Sequence, residues 1–275
     1  MVVVAFGRPD LLAACLATLQ GQFKTIVVDN GGTAEVARVA AQAEAVYVRP
    51  PQNLGFAAGV NIGLSHAVDQ QDVLLLNPDA RVDPESVWAL SAALGPTTGA
   101  VAPLLRRPDG SVERTIWPMP RPVAPWAGLI GLGDRLRGMR FLSGAVLLLS
   151  GDALRDVGVF DDRFFLYAEE SDWQRRAQDR GWSVMAEYSV CAIHEGGATS
   201  SNPALRDLYF QQSAQAFIHK WHGPTGALVY RVGALASAVR RLLLARSVTD
   251  RQAASRLVRL YSLGTTRYRR TAGLR

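Results

Sequence analysis

The sequence predicts an α/β fold: a mostly parallel central sheet flanked by helices, followed by a helical C-terminal tail. Two observations predict it. Short β-branched or leucine-rich runs alternate with stretches of helical periodicity through the first half of the chain, which is the pattern of βαβ units. Two of those runs stop at Asp29-Asn30-Gly31-Gly32 and Asn77-Pro78-Asp79, the punctuation of strand ends.

The elements follow in order. Val2–Phe6 is a continuous apolar run and reads as a strand. Leu11–Gln20 carries leucines at 11, 12, 16 and 19 and reads as a helix. Thr25–Val28 is a second buried strand, Thr33–Gln42 a helix, Ala45–Val48 a third strand and Phe56–Val68 a helix. Asp72–Leu76 is a fourth strand. Ligands of such sheets bind beyond the carboxyl ends of the strands, so Asp29 and Asp79 stand where chemistry is expected. A helix from Pro84 to about Leu94 leads to a strand at Gly99–Leu104. Arg106–Arg140 is rich in Pro, Gly and Trp, carries a turn at Pro108-Asp109-Gly110, and reads as an irregular insertion able to contact a substrate. Phe141–Ser150 is a strongly apolar strand, Gly151–Val157 and Glu169–Arg180 are helices, and Ser183–Ile193 is a strand. From Ala204 the pattern is helical, through Trp221 and then over Ala227–Arg246.

Composition narrows the class. With 275 residues, 48% of them hydrophobic, the chain can bury a core without cross-links. Cys15 and Cys191 lack metal-ligand spacing, which excludes a disulfide scaffold or zinc ribbon and fits a reducing compartment. The start has no signal-peptide pattern, and no apolar run reaches the length of a membrane span, so a cytoplasmic location is expected. Charge is unevenly placed: residues 227–275 hold eleven arginines and one acid, whereas the rest is mildly acidic. Such a tail suits an anionic membrane surface, and equally a solvated helix face. Nucleic acid is not expected, because no recognition motif accompanies the arginines.

Four motifs carry chemistry. Asp79, behind a buried strand and a proline-stiffened turn, can hold a divalent cation against a diphosphate; the tetrapeptide Asn77-Pro78-Asp79-Ala80 also reads as an Asx-type turn. Glu169, Glu170 and Asp172 follow four large apolar residues. An apolar flank and like charge raise carboxyl pKa values and suit a general base, while an acidic helix N-terminus is also favourable in itself. His194-Glu195-Gly196-Gly197 places a histidine at a strand end, as a metal ligand or an ordinary surface residue. Asn53–Gly63 spaces glycines at 55, 59 and 63 along one helix face, for packing or for close approach of a nucleotide.

The order of these pieces resembles the family 2 glycosyltransferases of the GT-A fold, especially bacterial rhamnosyltransferase-like members. VVVAF, LLAACLATL, VVDNGG, NLGFAAGVN, LLLNPDA, FLSGAVLLL, FDDRFFLYAEESDW and HEGG occur in the family's sequence over roughly residues 2–221. The resemblance implies a Rossmann-like sheet with a nucleotide-sugar-binding half (residues 1–105), an acceptor-binding, catalytic half (106–225) and the basic helical tail (226–275). It implies that Asp29 accepts a hydrogen bond from a pyrimidine base, with Ala5, Asn53, Gly55 and Asn77 lining the nucleotide pocket. Asp79 stands for the family's Asp-x-Asp motif and, with His194, would hold Mn2+ or Mg2+. Glu170 would be the base toward the acceptor hydroxyl, supported by Glu169 and Asp172. Ser143 and Gly144, within Phe141–Ala145, and Trp173 would border the acceptor.

The expected function is therefore an inverting, metal-dependent hexosyl transfer. Rhamnose from dTDP-rhamnose would pass to a cell-envelope glycan or polyprenyl-linked acceptor, with the tail holding the enzyme on the inner face of the plasma membrane. Two departures stand out: Glu169-Glu170 replaces the family's usual Glu-Asp, lengthening the base by one methylene, and Ala5-Phe6 replaces a Tyr-Asn-like pair. The first keeps open a non-catalytic protein that binds a nucleotide sugar or scaffolds an assembly. A nucleotidyltransferase would show a glycine-rich phosphate loop after the first strand, of which Arg8 is a faint echo.

Overall fold

Val2–Ala5 (β1) and Ile26–Asp29 (β2) are buried along their whole length and pair in parallel, with Ala5 opposite Asp29. Val46–Val48 (β3) extends this edge in parallel. The computed structural model describes residues 1–67, 71–133, 138–196 and 202–271. Val68, at the expected end of the third helix, and Gly197 of the diglycine lie outside the described residues.

The connecting helices begin where local chemistry starts them. Pro9–Thr18 (α1) opens on proline, which lacks the N–H that a first turn would leave unpaired. Ala34–Gln42 (α2) is capped by Thr33, whose side chain accepts from the Val36 amide. Phe56–Ser65 (α3) packs on β1 through Gly59 and Gly63, where an added Cβ would fall 2.7 and 2.3 Å from Val4 and Val2 methyls. These two glycines serve packing rather than a phosphate.

Val73–Leu76 (β4) pairs with the other side of β1, and Ala80–Arg81 (β5) follows it. Pro84–Ala92 (α4), capped by Asp83, leads to Thr98–Arg106 (β6). The stretch expected to be irregular contains Val112–Glu113 (β7), Ile116–Pro118 (β8) and Ala124–Leu129 (α5). Its turn is present: Asp109 accepts from the Ser111 amide, Gly110 has φ +83°, and β7 folds back on β6.

The expected strand Phe141–Ser150 is two strands. Arg140–Leu142 (β9) pairs with β8, while Val146–Leu149 (β10) enters the main sheet. Ser143, Gly144 and Ala145 interrupt them because the Ser143 amide donates to Thr115 O and Ala145 O accepts from Asn77, two bonds aimed at different partners. Gly151–Val157 (α6), Glu169–Asp179 (α7) and Ser183–His194 (β11) complete this part. The sheet order is β3-β2-β1-β4-β10-β6-β11-β5, with β7 beside β6. β10 runs antiparallel to both neighbours, and β5 antiparallel to β11, so the parallel core is completed by reversed strands. Alternate residues of β1 and β2 feed apolar cores on the two faces, Val3 and Val27 on one, Val2, Val4, Ile26 and Val28 on the other.

Pro203–Leu244 (α8), Val248–Leu263 (α9) and Thr265–Thr271 (α10) are the tail. α8 joins the two expected helices across a kink at Gly223, φ 67°, followed by Pro224, which cannot donate to the turn before it. The described residues divide into two compact units. The sheet unit runs to Trp117, resumes at Arg140–Phe165 and again from Glu169; the helical unit takes Pro118–Met139, Leu166–Ala168 and the chain from Asn202. Division at 105/106 would cut β6, which pairs with β11 far along the chain, whereas 225/226 falls just past the kink of α8 and inside the helical unit. In the helical unit, Leu208, Ala234, Ala238, Leu260, Tyr261 and Tyr268 form a separate core. Trp126 Nε1 donates to Val229 O at 3.0 Å, its indole lying where a Cβ on Gly233 would stand. Among the described residues no helix is long and apolar enough to cross a membrane.

Candidate active site

Sheet order brings five strand ends to one edge. β1 and β2 end at Ala5 and Asp29, and β4 ends beside them at Leu76. Because β10 is antiparallel to β4, its start lies at the same edge, and Asn77 N–H donates to Ala145 O at 2.9 Å. β11 ends with His194 opposite Ala80, and Glu195 N–H donates to Asp79 O at 3.0 Å.

Asp79 is buried, and its Oδ1 lies 3.4 Å from His194 Nε2. The other ring nitrogen, Nδ1, is 3.0 Å from Glu113 Oε2. Burial, the largest influence on His194, pulls its pKa down; the carboxylates of Asp79 and Glu113 together outweigh it and leave the pKa raised. With Nδ1–H directed to Glu113, Nε2 would be left to ligate a cation shared with Asp79, the arrangement by which a second carboxylate orients a histidine ligand. Among the described residues no group of three or more ligating side chains forms a complete cage. One carboxylate and one imidazole fit Mn2+ or Mg2+ that takes its remaining ligands from substrate phosphates. Glu113 is a residue that sequence reasoning missed; it sits on a two-residue strand inside the stretch read as irregular.

The carboxylate motif starts α7. Tyr167 and Ala168, just before it, both hold left-handed backbone, φ 69° and 68°, costing about 1–3 kcal/mol each for non-glycine residues. Glu169 and Glu170 hydrogen-bond to each other. Burial, then the charge of Glu170, raises Glu169 well above the ordinary carboxylate range. Burial also raises Glu170, but the bond from Glu169 works the other way. Both carboxyls are held above the ordinary range, Glu169 the further of the two. Each has a buried Oε2 with no hydrogen-bond partner, and a Cβ on Gly144 would lie 3.6 Å from Glu170 Cβ. That distance is ordinary van der Waals contact, so Gly144 adjoins Glu170 directly, and Ser143 is its partly exposed neighbour.

Two expected members of this motif are placed elsewhere. Trp173 is fully buried, stacks on Phe160 at 5.9 Å and donates to Gly158 O, so it is a core residue and not an acceptor platform. Asp172 is sealed from solvent and ion-paired with Arg176 at 3.1 Å, whose guanidinium also bonds Val157 O and Val159 O. It anchors the α6–α7 connection instead of reaching a substrate.

Asp29 is more committed than the sequence suggested. Its Oδ1 accepts from Gly31 and Gly32 amides, and its Oδ2 from Thr33 N–H and Tyr47 Oη, all within 3.0 Å. Four donors fill the usual acceptor sites of a carboxylate, so a base N–H must displace one, and the Tyr47 hydroxyl is the one not fixed to the backbone. Asn53 accepts from Gly55 N–H, closing an Asx turn, and Asn30, also missed, donates to Gly55 O at 2.8 Å. Gly55 has φ +87°, and an added Cβ would lie 2.3 Å from Phe165 O. The loop is therefore clamped to the segment leading to α7. Ala5 is buried, whereas the adjacent Phe6 is half exposed. A groove of about 770 Å3 against α1, α2 and the Gln20–Thr25 link holds none of these side chains.

Comparison with known proteins gives the family. A family model described as Glycosyl transferase family 2 matches residues 1–157. The chain is 28% identical over 258 residues to N-acetylglucosaminyl-diphospho-decaprenol L-rhamnosyltransferase of Mycobacterium tuberculosis, covering 81% of this chain and 84% of that one. It is 22% identical over 233 residues to the low-salt glycan biosynthesis hexosyltransferase Agl10 of Haloferax volcanii, covering 79% and 71%. Among solved structures, the mannosyltransferase PcManGT of Pyrobaculum calidifontis, in complex with GDP-Man and Mn2+, superposes with a TM-score of 0.58 at 16% identity, covering 99% and 85%. Glucosyl-3-phosphoglycerate synthase of M. tuberculosis, with Mn2+, UDP-glucose and phosphoglyceric acid, gives 0.55 at 16% identity, covering 80% and 78%. The sheet order and the family match agree: the chain has the GT-A fold and belongs to glycosyl transferase family 2, a glycosyltransferase related to the rhamnosyltransferases.

Proposed function

We propose that the protein transfers L-rhamnose from dTDP-rhamnose, with inversion and with Mn2+ or Mg2+, to a saccharide carried on a polyprenyl diphosphate. The observation that carries the choice of sugar and acceptor is the relation to the mycobacterial rhamnosyltransferase along four fifths of the chain. The site geometry supports the reaction class. Asp79 and His194 would hold the cation, with Glu113 fixing the imidazole tautomer. A cation held there would supply charge neutralisation to the departing diphosphate. Asn53, Gly55 and Asn77 would line the nucleotide, and Asp29 would take a base N–H once Tyr47 Oη moves away.

Glu170 would accept the proton of the attacking hydroxyl. Glu169, hydrogen-bonded to it, would offset part of the rise that burial imposes on Glu170 and so favour its ionised form. The base belongs to α7 and the cation ligands to the ends of β4 and β11, so attack and departure can occupy opposite sides of the anomeric carbon. A single such displacement inverts configuration. The extra methylene of Glu170, relative to the usual aspartate, is accommodated beside Gly144, where no side chain competes for the space.

The tail supports a membrane-surface location. On α8, Leu228, Val232, Val239 and Leu243 are 62%, 46%, 39% and 78% exposed. At 3.6 residues per turn they fall within about 60° of one another and form a stripe about 22 Å long. An exposed apolar stripe on an arginine-rich helix suits the interface of an anionic leaflet.

The test is a donor panel. The purified chain would be incubated with dTDP-rhamnose, UDP-glucose, UDP-N-acetylglucosamine and GDP-mannose, each with a short-chain prenyl-diphosphate N-acetylglucosamine. Mass spectrometry would read the product. A deoxyhexose added from dTDP-rhamnose alone supports the proposal; addition of a different sugar, or of none to this acceptor, overturns the choice of substrates.

A further inference from the structure

The link from β7 to β8 runs past both halves of the candidate site. Glu113 bonds His194 at the cation end, and Thr115 O accepts from Ser143 N–H, beside the Gly144 that adjoins Glu170. Met119 N–H donates to Met139 O in the same two-stranded ribbon, an antiparallel register that sets Trp117 opposite Phe141. Opposite residues turn their side chains to one face; the other face, with Ile116 and Leu142, packs into the core of the sheet. Helix α7 fastens the far edge of β9: Gln174 bonds both the N–H and the O of Leu142, at 2.8 and 2.9 Å, and Gln178 donates to Arg140 O. The ribbon is therefore tied to the helix whose first turn carries Glu170. Trp117 is 41% exposed yet held in place. Its Nε1–H donates to Arg114 O at 3.0 Å, and the Arg114 guanidinium, anchored on Ile116 O, lies 4.7 Å from the ring centroid. An indole fixed at two points with much of its surface open is preorganised for a ligand.

We propose that Trp117 is the platform on which the acceptor sugar stacks, and that the acceptor is a pyranoside rather than an acyclic alcohol. The C–H face of a pyranose is apolar and weakly positive, the match for the negative face of an indole. Phe141, across from Trp117, is three residues from Gly144, about 10 Å along an extended chain, so a sugar ring lying on the indole has a hydroxyl within reach of Glu170. Because β9 is tied to α7, platform and base keep a fixed spacing, which determines the hydroxyl presented for attack. The inference rests on the reading of Glu170 as the base of a sugar transfer. It gives the acceptor the aromatic contact that Trp173, buried in the core, does not provide.

Binding, read apart from turnover, tests it. Octyl β-N-acetylglucosaminide, below its micelle concentration, is titrated into the full chain with Mn2+ and dTDP present; octyl glyceryl ether serves as the acyclic comparator. The expected result is saturable binding of the glucosaminide, at least tenfold tighter than that of the ether. Trp117→Ala should weaken it tenfold or more and Trp117→Phe no more than about threefold, with dTDP affinity unchanged in both. In the transfer assay Trp117→Ala should raise the acceptor KM by a similar factor and leave kcat within about threefold. Equal wild-type affinity for the two octyl compounds, or unchanged glucosaminide affinity in Trp117→Ala, would overturn the platform. Loss of dTDP affinity in Trp117→Ala would make Trp117 a support of the whole site and overturn it equally. Trp117-dependent binding of the glucosaminide by a wild type that transfers no sugar would uphold the platform and overturn the transfer reading, so the two failures are distinguishable.

Discussion

Glutamine at position 170, and separately at position 169, divides the work of the buried carboxylate pair. Glu170→Gln removes the acceptor for the hydroxyl proton. General-base catalysis is typically worth ~10²–10⁴-fold, or ~3–5 kcal/mol at about 1.4 kcal/mol per decade. Glu169→Gln leaves an amide N–H where the neutral carboxyl had its O–H, so the bond to ionised Glu170 survives. Keeping a bond of about 1.5–3 kcal/mol to a charged group limits the loss to about tenfold. The assay is the transfer rate at saturating substrates from acid to neutral pH. Glu170 works ionised and burial raises its pKa, so the wild-type rate falls with falling pH through a value above the ordinary carboxylate range of about 4.3. Stability responds differently through Glu169, whose folded-state pKa is raised. Its contribution is complete below the unfolded value and is lost as pH rises through the folded one, and Glu169→Gln removes that loss. Equal damage in the two variants, or more than a tenth of wild-type rate in Glu170→Gln, would refute the division of roles.

Three further outcomes follow from the geometry. Gly55→Ala places a Cβ 2.3 Å from Phe165 O at φ +87°, and urea unfolding should show a loss above ~2 kcal/mol, the range of strained-backbone and overpacking mutants; a loss under half that would show that the loop yields easily. Glu113→Gln should weaken Mn2+ affinity, measured by electron paramagnetic resonance, by ~10–100-fold through the misoriented His194, and unchanged affinity would remove Glu113 from the site. Tyr47→Phe removes one of four donors to Asp29; it should lower stability by about 1 kcal/mol yet tighten pyrimidine nucleotide binding, and weaker binding would contradict displacement of Tyr47 by the base.

How far the sequence carried depended on whether a signal was local. Strands β1, β2 and β4 were legible because each is an uninterrupted apolar run closed by polar punctuation, and the placement of Asp79 and His194 at strand ends was legible from the same closures. Glu113 was not legible, since it reaches His194 across 81 residues and only through the β6–β7 hairpin beside β11. Trp173 was misplaced because the resemblance carried its motif to the acceptor without saying which face of the helix meets the core. Asp29 was placed at the correct edge, but its saturation by Gly31, Gly32 and Thr33 amides depends on how the backbone turns after it. The break in Phe141–Ser150 was hidden for a similar reason: apolar continuity does not reveal that Ser143 and Ala145 bond to different partners.

The central claim is that Asp79 and His194 hold a cation against the diphosphate of a sugar nucleotide. Calorimetric titration of dTDP, UDP and GDP, each with and without Mn2+, into wild type and Asp79→Ala tests it most directly. The account predicts that dTDP binds tightest, that its binding requires Mn2+, and that Asp79→Ala abolishes the Mn2+ effect. Binding that is indifferent to Mn2+, or that is unchanged in Asp79→Ala, would contradict it.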